Sequence, residues 1–426
     1  MTSWMFFFLA CVVALGGSSA LATVNRVLDY KYPYKDPYIA TLTMRLMGTK
    51  IVKPKIITLN GLPGRDKIRF SDGHQNVPIA VFVQEMPAPL VYVIPGVGGS
   101  ASEGAAIWLA EFLFTKGFSV ISVPSPLHWR FILGQSTTGM PGFTPEDVRD
   151  LQRVMSLSRA EAERLFGLRA TRIGVVGYSL GAVDAAYLMK SERTMPLLGI
   201  ERAVLINPPL NLSTAVKKID ELNDIGSRWT PERREAIWGY MYNLGEKAMG
   251  RNIQDPYFFY GLDQVIKIST KDVMYLIGSS FRQTLADVLM ISEEIAHQGL
   301  LKEPATEGER SERLNEALST SFMDYLSKSA WPFWKKRLGN NWTEAEFVAH
   351  GDLASLRDLM GHDKAFYLLH NEDDFLTTKD DLLSLADIMG DRAFIYPLGG
   401  HVGGLWHPRT LENINQIFHD LLGQGN

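Results

Sequence analysis

The sequence predicts an α/β fold: a mostly parallel central sheet flanked by helices, with an inserted helical segment. Three observations predict it. Short apolar, β-branched runs alternate with segments of helical spacing from Val52 onward. The alternation stops at Asn211 and resumes at Lys364. The runs end in turns dense with glycine, serine, aspartate or histidine, the place where sheets of this kind carry their chemistry. The expected division is a leader at 1–22, a core at 23–210 and 362–426, and a helical cap or lid at 211–361.

Bulk properties narrow the function. A chain of 426 residues suffices for one large domain with an insertion, or for two domains. A net charge of −4 leaves no basic footprint for nucleic acid. The single cysteine, Cys11, excludes an intramolecular disulfide and a cysteine-rich metal site. The nine histidines lack metal-ligand spacing, so neither a metal nor a cofactor is expected.

The leader has its own character. Trp4–Leu15 is continuously apolar and is followed by Gly-Gly-Ser-Ser and then Ala20-Leu21-Ala22. A run this short ending in A-x-A fits a secretory signal peptide better than a bilayer span of about 20 residues. Two other outcomes stay open: lipidation at Cys11, within Phe8-Leu9-Ala10-Cys11, and an uncleaved anchor giving membrane association. In each case the body of the protein is expected to be exported, periplasmic or secreted.

The elements follow in order. Asn25–Tyr38, with Tyr30, Tyr32, Tyr34 and Tyr38 among prolines, reads as an irregular arm on the domain surface whose aromatics make packing contacts. Val52–Leu59 and Val77–Gln84, separated by turn residues, read as opening antiparallel strands. Leu90–Ile94 is apolar throughout, as a strand buried on both faces should be. It runs into Pro95-Gly-Val-Gly-Gly-Ser100, followed by helical spacing over 104–116. That loop matches neither phosphate-binding glycine pattern and contains no lysine. Phe118–Pro124 is the next strand. A loop with His128, Trp129 and Arg130 leads to a helix over 145–166, and His128 reads as a rim residue.

Ile173–Val176 then enters Gly177-Tyr178-Ser179-Leu180-Gly181. G-x-S-x-G between a strand and a helix is a nucleophile elbow. The serine sits in a strained turn, and glycines two residues either side remove the collisions that side chains would make there. The loop at 95–100, one strand–helix unit earlier, fits an oxyanion loop, with the Val97 N–H as one donor and the Leu180 N–H as the other. Arg202–Asn207 is a further buried strand. The insertion after it is rich in large side chains, Trp229, Trp238, Tyr240, Met241, Tyr242, Tyr257–Tyr260, Trp331, Phe333 and Trp334 among them. These supply the insertion's own core, and a lid lined by some of them would favour acyl substrates. Leu314, Leu318, Phe322 and Tyr325 fall on one helical face, after a polar break at 303–312. Lys364–Leu369 is a strand ending in His370-Asn-Glu-Asp-Asp374, and Asp380–Met389 a helix. The strand Ala393–Tyr396 leads to Gly399-Gly-His401-Val-Gly-Gly404, and an amphipathic helix closes the chain.

Serine, acid and histidine in that chain order, each after a strand end, resemble the α/β-hydrolase superfamily of serine hydrolases, esterase- and lipase-like members included. The resemblance runs from about Val52 to Leu422 and rests on GYSLG, PGVGGS, HNEDD and GGHVGG taken together. Pro95 departs from the histidine that many members carry there, without removing an N–H donor. The resemblance implies Ser179 as nucleophile, His401 as general base and a buried carboxylate orienting the imidazole. Asp373 and Asp374 compete for that last role. Asp373 is favoured, three residues past His370 and followed at +2 and +3 by Phe375-Leu376. The activity implied is cleavage of a small-molecule carboxylic ester through an acyl-enzyme. Acyl transfer, thioester or peptide cleavage use the same groups, and a non-enzymatic lipid- or partner-binding module is the alternative of another class. Dehalogenase chemistry would need an aspartate where Ser179 stands.

Overall fold

Ala88–Ile94 has no polar side chain other than Tyr92, and every one of its residues is buried. It is β4, near the middle of a nine-stranded sheet in a computed structural model that describes residues 24–47, 52–68, 73–249, 259–260, 267–302 and 310–423. The other strands are β1 (Asn25–Arg26), β2 (Lys55–Leu59), β3 (Val77–Phe82), β5 (Ser119–Ser122), β6 (Ala170–Tyr178), β7 (Arg202–Ile206), β8 (Phe366–Asn371) and β9 (Ala393–Tyr396). Their order is β1-β9-β8-β7-β6-β4-β5-β3-β2. Only β3 runs against its neighbours, β2 and β5; all other pairs are parallel. An antiparallel start, a crossover at β4/β5 and a parallel remainder make this the α/β-hydrolase fold. It is the expected one.

The period of two along each strand builds two cores. Val91 and Val93 of β4 share one with the helices Gly104–Thr115 and Pro408–His419. Leu90, Tyr92 and Ile94 face the other way, toward the helices Thr144–Phe166, Leu180–Thr194 and Lys379–Met389. Parallel strands thus have both faces covered, which is why they read as unbroken apolar runs.

The arm is not laid on the surface, contrary to expectation. Tyr30, Tyr32 and Tyr34 are buried, with Tyr32 packing on Trp406 at 5.3 Å between ring centroids. Asp36 then caps a helix, Pro37–Thr43, accepting from the N–H groups of Tyr38 and Ile39. A 3-10 turn, Met44–Leu46, continues it. The reason lies in sequence-distant partners: glycine-rich turn 399–404 on one side and the cap on the other.

Between β7 and β8 the described residues form helices and no strand. The longest is Thr270–Ala296, opened by a capping box of Ser269 and Asp272. Leu285, Ala286, Val288 and Leu289 bury one side of it against Phe322, Tyr325, Phe333, Trp334 and Phe347. The single face expected from Leu314 to Tyr325 is broken. One helix ends at Ser319, Ser321 caps the next, and Leu314 is left 39% exposed while Phe322 and Tyr325 are buried. No helix among the described residues is long and apolar enough to cross a membrane. The leader with Cys11, residues 303–309 of the polar break, and Tyr257 and Phe258 lie outside the described residues.

Candidate active site

β6 delivers Ser179 at φ 56°, ψ −128°, a backbone region that a non-glycine residue occupies at a cost of about 1–3 kcal/mol. Close approach explains the flanking glycines. A Cβ at Gly177 would stand 1.9 Å from the Gly181 carbonyl oxygen, and one at Gly181 would stand 2.3 Å from that of Ile94. The turn is held by Ser179 N–H donating to Ile206 O (2.9 Å) and Ala182 N–H donating to Ser179 O (3.0 Å). Leu180 opens the following helix, so its N–H belongs to the first turn, where no intrahelical acceptor exists. Val97 stands in the glycine loop after β4 and lines the same cavity as Ser179.

The turn after β9 brings His401 to the serine. Its Nε2 lies 2.8 Å from Ser179 Oγ, and its Nδ1 lies 3.0 and 3.2 Å from the two carboxylate oxygens of Asp374. All three are at most 9% exposed. With Nδ1–H donating to Asp374, Nε2 is left free to accept the serine proton.

The carboxylate bonded to His401 is therefore Asp374, not the expected Asp373. β8 runs to Asn371, one residue past the His370 from which the acid is counted, so the third residue past the strand end is Asp374. The two carboxylates point to different partners. Asp373 accepts from the N–H groups of Gly399 (3.2 Å) and Gly400 (2.8 Å) and clips the histidine turn. Burial pushes its carboxyl up to about 6, against the pull of those two N–H groups. Burial works to raise Asp374 as well, but the charge and hydrogen bond of His401 prevail and hold it below the usual carboxylate range. It is the one kept ionised beside the imidazole.

Several positioning residues escaped sequence reading. Asn207, at φ 47° after β7, donates from Nδ2 to Asp374 Oδ2 at 2.8 Å. Asn371 Nδ2 donates to Gly400 O at 2.8 Å. Each is an amide closing an apolar strand, and that interruption was the available signal. Thr41, on the arm, accepts the His401 backbone N–H at 2.8 Å and donates to Pro37 O. Gly400 and Gly403 make room for this contact: a Cβ at either would lie 2.0 Å from Pro37 O or 2.1 Å from Ala40 O. His128, expected on the rim, is half-buried and lines the Ser179 cavity. Burial, helped by Arg130, lowers it to about 4, so it is neutral near pH 7. Because its Nδ1 accepts from Arg130 N–H (3.2 Å), its proton sits on Nε2.

Two cavities meet over the serine. One, of about 390 Å³, is lined by the glycine loop 96–100, His128, Tyr178, Ser179 and His401. The other, of about 360 Å³, is lined by Leu42, Trp238, Met241, Leu276, Ile277 and Phe281 among others. They share Met44, Arg45, Phe281, Thr284 and His401. The helix Thr270–Ala296 roofs both and touches the loop below, since a Cβ at Gly98 would stand 2.4 Å from a Thr284 methyl.

No family model matches the sequence, and no curated protein is similar to it. Solved structures similar to it include an acylaminoacyl peptidase from Pyrococcus horikoshii, at 10% identity and TM-score 0.42 over 88% of this chain and 43% of that one. The chain thus spans less than half the length of that peptidase. An esterase from Pyrococcus furiosus aligns at 11% identity and TM-score 0.39, over 95% of this chain and 99% of its own. A 2,6-dihydroxy-pseudo-oxynicotine hydrolase aligns at 13% and 0.43, over 87% and 68%. Likenesses this distant add nothing to the strand order and side-chain geometry above.

Proposed function

We propose that the protein is a serine hydrolase that cleaves carboxylic esters. The observation that carries this reading is the hydrogen-bonded line from Ser179 Oγ through His401 to Asp374, with 2.8 Å and 3.0 Å links. Serine at its own pKa is a weak nucleophile and needs such a base. As Ser179 Oγ bonds to the ester carbonyl carbon, His401 Nε2 takes its proton. The carbonyl oxygen becomes an oxyanion facing the N–H groups of Val97 and Leu180, donors worth about 2.7–4 kcal/mol each in such sites. Collapse breaks the bond to the alkoxy oxygen, which leaves with the proton returned by His401. Water then repeats the sequence on the acyl-enzyme, releasing acid and free Ser179. Asp374 stays ionised throughout and offsets the charge on the imidazolium.

The cap walls around the cavities support an acyl substrate, because Trp238, Met241 and Phe281 offer apolar surface beside His401. We also propose export, on the strength of the apolar run 4–15 and the Ala20-Leu21-Ala22 sequence. Sequencing the N-terminus of the protein from its native host tests that point, with a start at Thr23 expected. The enzymatic reading is tested by Ser179→Ala assayed on short p-nitrophenyl esters, with fluorophosphonate labelling alongside. A loss approaching about 10⁶-fold in kcat is expected, on the scale seen for removal of a serine nucleophile elsewhere. Full activity in the variant, or a label absent from Ser179, overturns the reading.

A further inference from the structure

The arm carries a cation into the cleft. Arg45 sits in the turn Met44–Leu46 and lines both cavities, the one Lys or Arg among their described lining residues. Its side chain is reached by solvent through the cleft and is nevertheless ringed by protein, enough for burial to lower its pKa. Of its five N–H donors, one has a protein acceptor among the described residues: Nη2 donates to Ser280 Oγ at 2.7 Å, on the helix that roofs the site. Among the described residues no carboxylate pairs with it. Glu103 and Asp287 line the cavities too, yet neither forms an ion pair with Arg45 among the described residues. Two buried arginines of the cap do have counter-ions, while buried Arg65 and Arg392 are met by backbone carbonyls instead. Arg282 holds Asp220 at 2.8 Å and Arg313 holds Glu294 at 2.7 Å. A guanidinium held in a cleft with four donors not taken up by the described residues is open to an anion.

We propose that Arg45 selects the substrate: the ester cleaved at Ser179 carries a carboxylate or phosphate that Arg45 binds, while its apolar chain fills the cavity lined by Trp238, Met241, Leu276 and Phe281. The guanidinium fork suits both anions, since each accepts two parallel N–H bonds. His128, neutral with its proton on Nε2, supplies a further donor in the same cavity. The proposal rests on Ser179 being the nucleophile of an esterase.

The experiment compares matched neutral and anionic esters in two arms. In the first, p-nitrophenyl hexanoate is set against mono-p-nitrophenyl adipate, which puts the charge on the acyl chain. In the second, monohexanoyl glycerol is set against monohexanoyl glycerol phosphate, which puts it on the alcohol. The wild-type enzyme is expected to prefer the anionic member of one pair by about 10- to 100-fold in kcat/KM, the span of one charge-assisted pair. The arm that responds identifies the source of the anion. In Arg45→Gln the ratio falls toward one, and Arg45→Lys retains part of it. A wild-type ratio of one in both arms overturns the proposal. So does an Arg45→Gln enzyme that loses neutral and anionic esters equally, because Arg45 would then serve the oxyanion or the fold. Hydrolysis of the neutral esters, abolished by Ser179→Ala, reports separately on the esterase reading. A binding measurement stands apart from catalysis altogether: hexyl phosphate raises the Tm of wild-type protein but not of Arg45→Gln, and hexanol raises neither. A missing shift in the wild type counts against the site.

Discussion

The floor and the roof of the cleft are built by different means. The floor is local: Ser179, Asp374 and His401 each follow a strand end by a few residues, and the sheet's register brings those ends together. The roof is assembled from distant parts. Arm residues 36–46 lie against glycines of turn 399–404 and against the helix Thr270–Ala296, where Thr270 Oγ1 donates to Asp36 and Arg45 donates to Ser280. The proposed chemistry thus rests on the floor, and the proposed choice of substrate rests on the roof. The adjacent carboxylates show the same division on a small scale. Asp374 turns down to the imidazole, and Asp373 turns out to the backbone of the loop that the arm supports.

Within this comparison the largest effect expected is the one that separates the two aspartates. Asp374→Asn leaves His401 in the wrong tautomer, and kcat on a p-nitrophenyl ester should fall by about 10⁴-fold, as in serine proteases altered at the equivalent group. Asp373→Asn should cost less than about tenfold, because it keeps one of the two acceptor oxygens and does not touch His401. A reversed order would restore Asp373 as the acid. On the roof side, Gly403→Ala would drive a methyl group toward Ala40 O, and overpacking of this kind costs about 1–3 kcal/mol. Thr41→Val would strip the His401 N–H of its acceptor at a similar cost of about 1–3 kcal/mol. Urea unfolding measures both. If the arm is a working wall, both variants also lose kcat through a displaced His401. Loss of stability with unchanged kcat would reduce the arm to a brace.

The legibility of the molecule follows this contrast. GYSLG announces itself because strand, strained turn and helix are all adjacent in sequence, and collisions within five residues dictate its glycines. The glycines of GGHVGG looked like part of the same kind of motif. Two of them serve a contact with Pro37 and Ala40 that no local pattern encodes. The tyrosines of the arm read from sequence as surface packing groups, since their partners Trp406 and Phe259 are remote in sequence. The acid was missed by one residue for a comparable reason. His370 and Asn371 are polar and looked like the start of a turn, yet both are buried, paired and still part of β8.

The smallest effect concerns the junction of floor and roof at its far side. Asp147 lies in the helix Thr144–Phe166 and accepts from Gly142 N–H at 2.7 Å, close to Tyr325 of the cap. Burial pushes its carboxyl up to about 8, with the Gly142 N–H working against that and Asp150 adding to it. Asp184, one turn beyond Ser179 on its helix, is raised well above its ordinary value by burial and then by the charge of Asp147. A carboxyl raised on folding keeps a proton that the unfolded chain has released. Its contribution to stability is therefore complete below its ordinary value near 3.8 and declines as pH rises toward about 8. The decline attributable to Asp147 is at most about 1.4 kcal/mol per pH unit. Unfolding free energies measured from pH 5 to 8 should thus fall more steeply in the wild type than in Asp147→Asn, whose amide cannot ionise. Should the two slopes coincide, the proton is held elsewhere, and Asp184, on the helix that follows the nucleophile, becomes the group through which floor and roof sense pH.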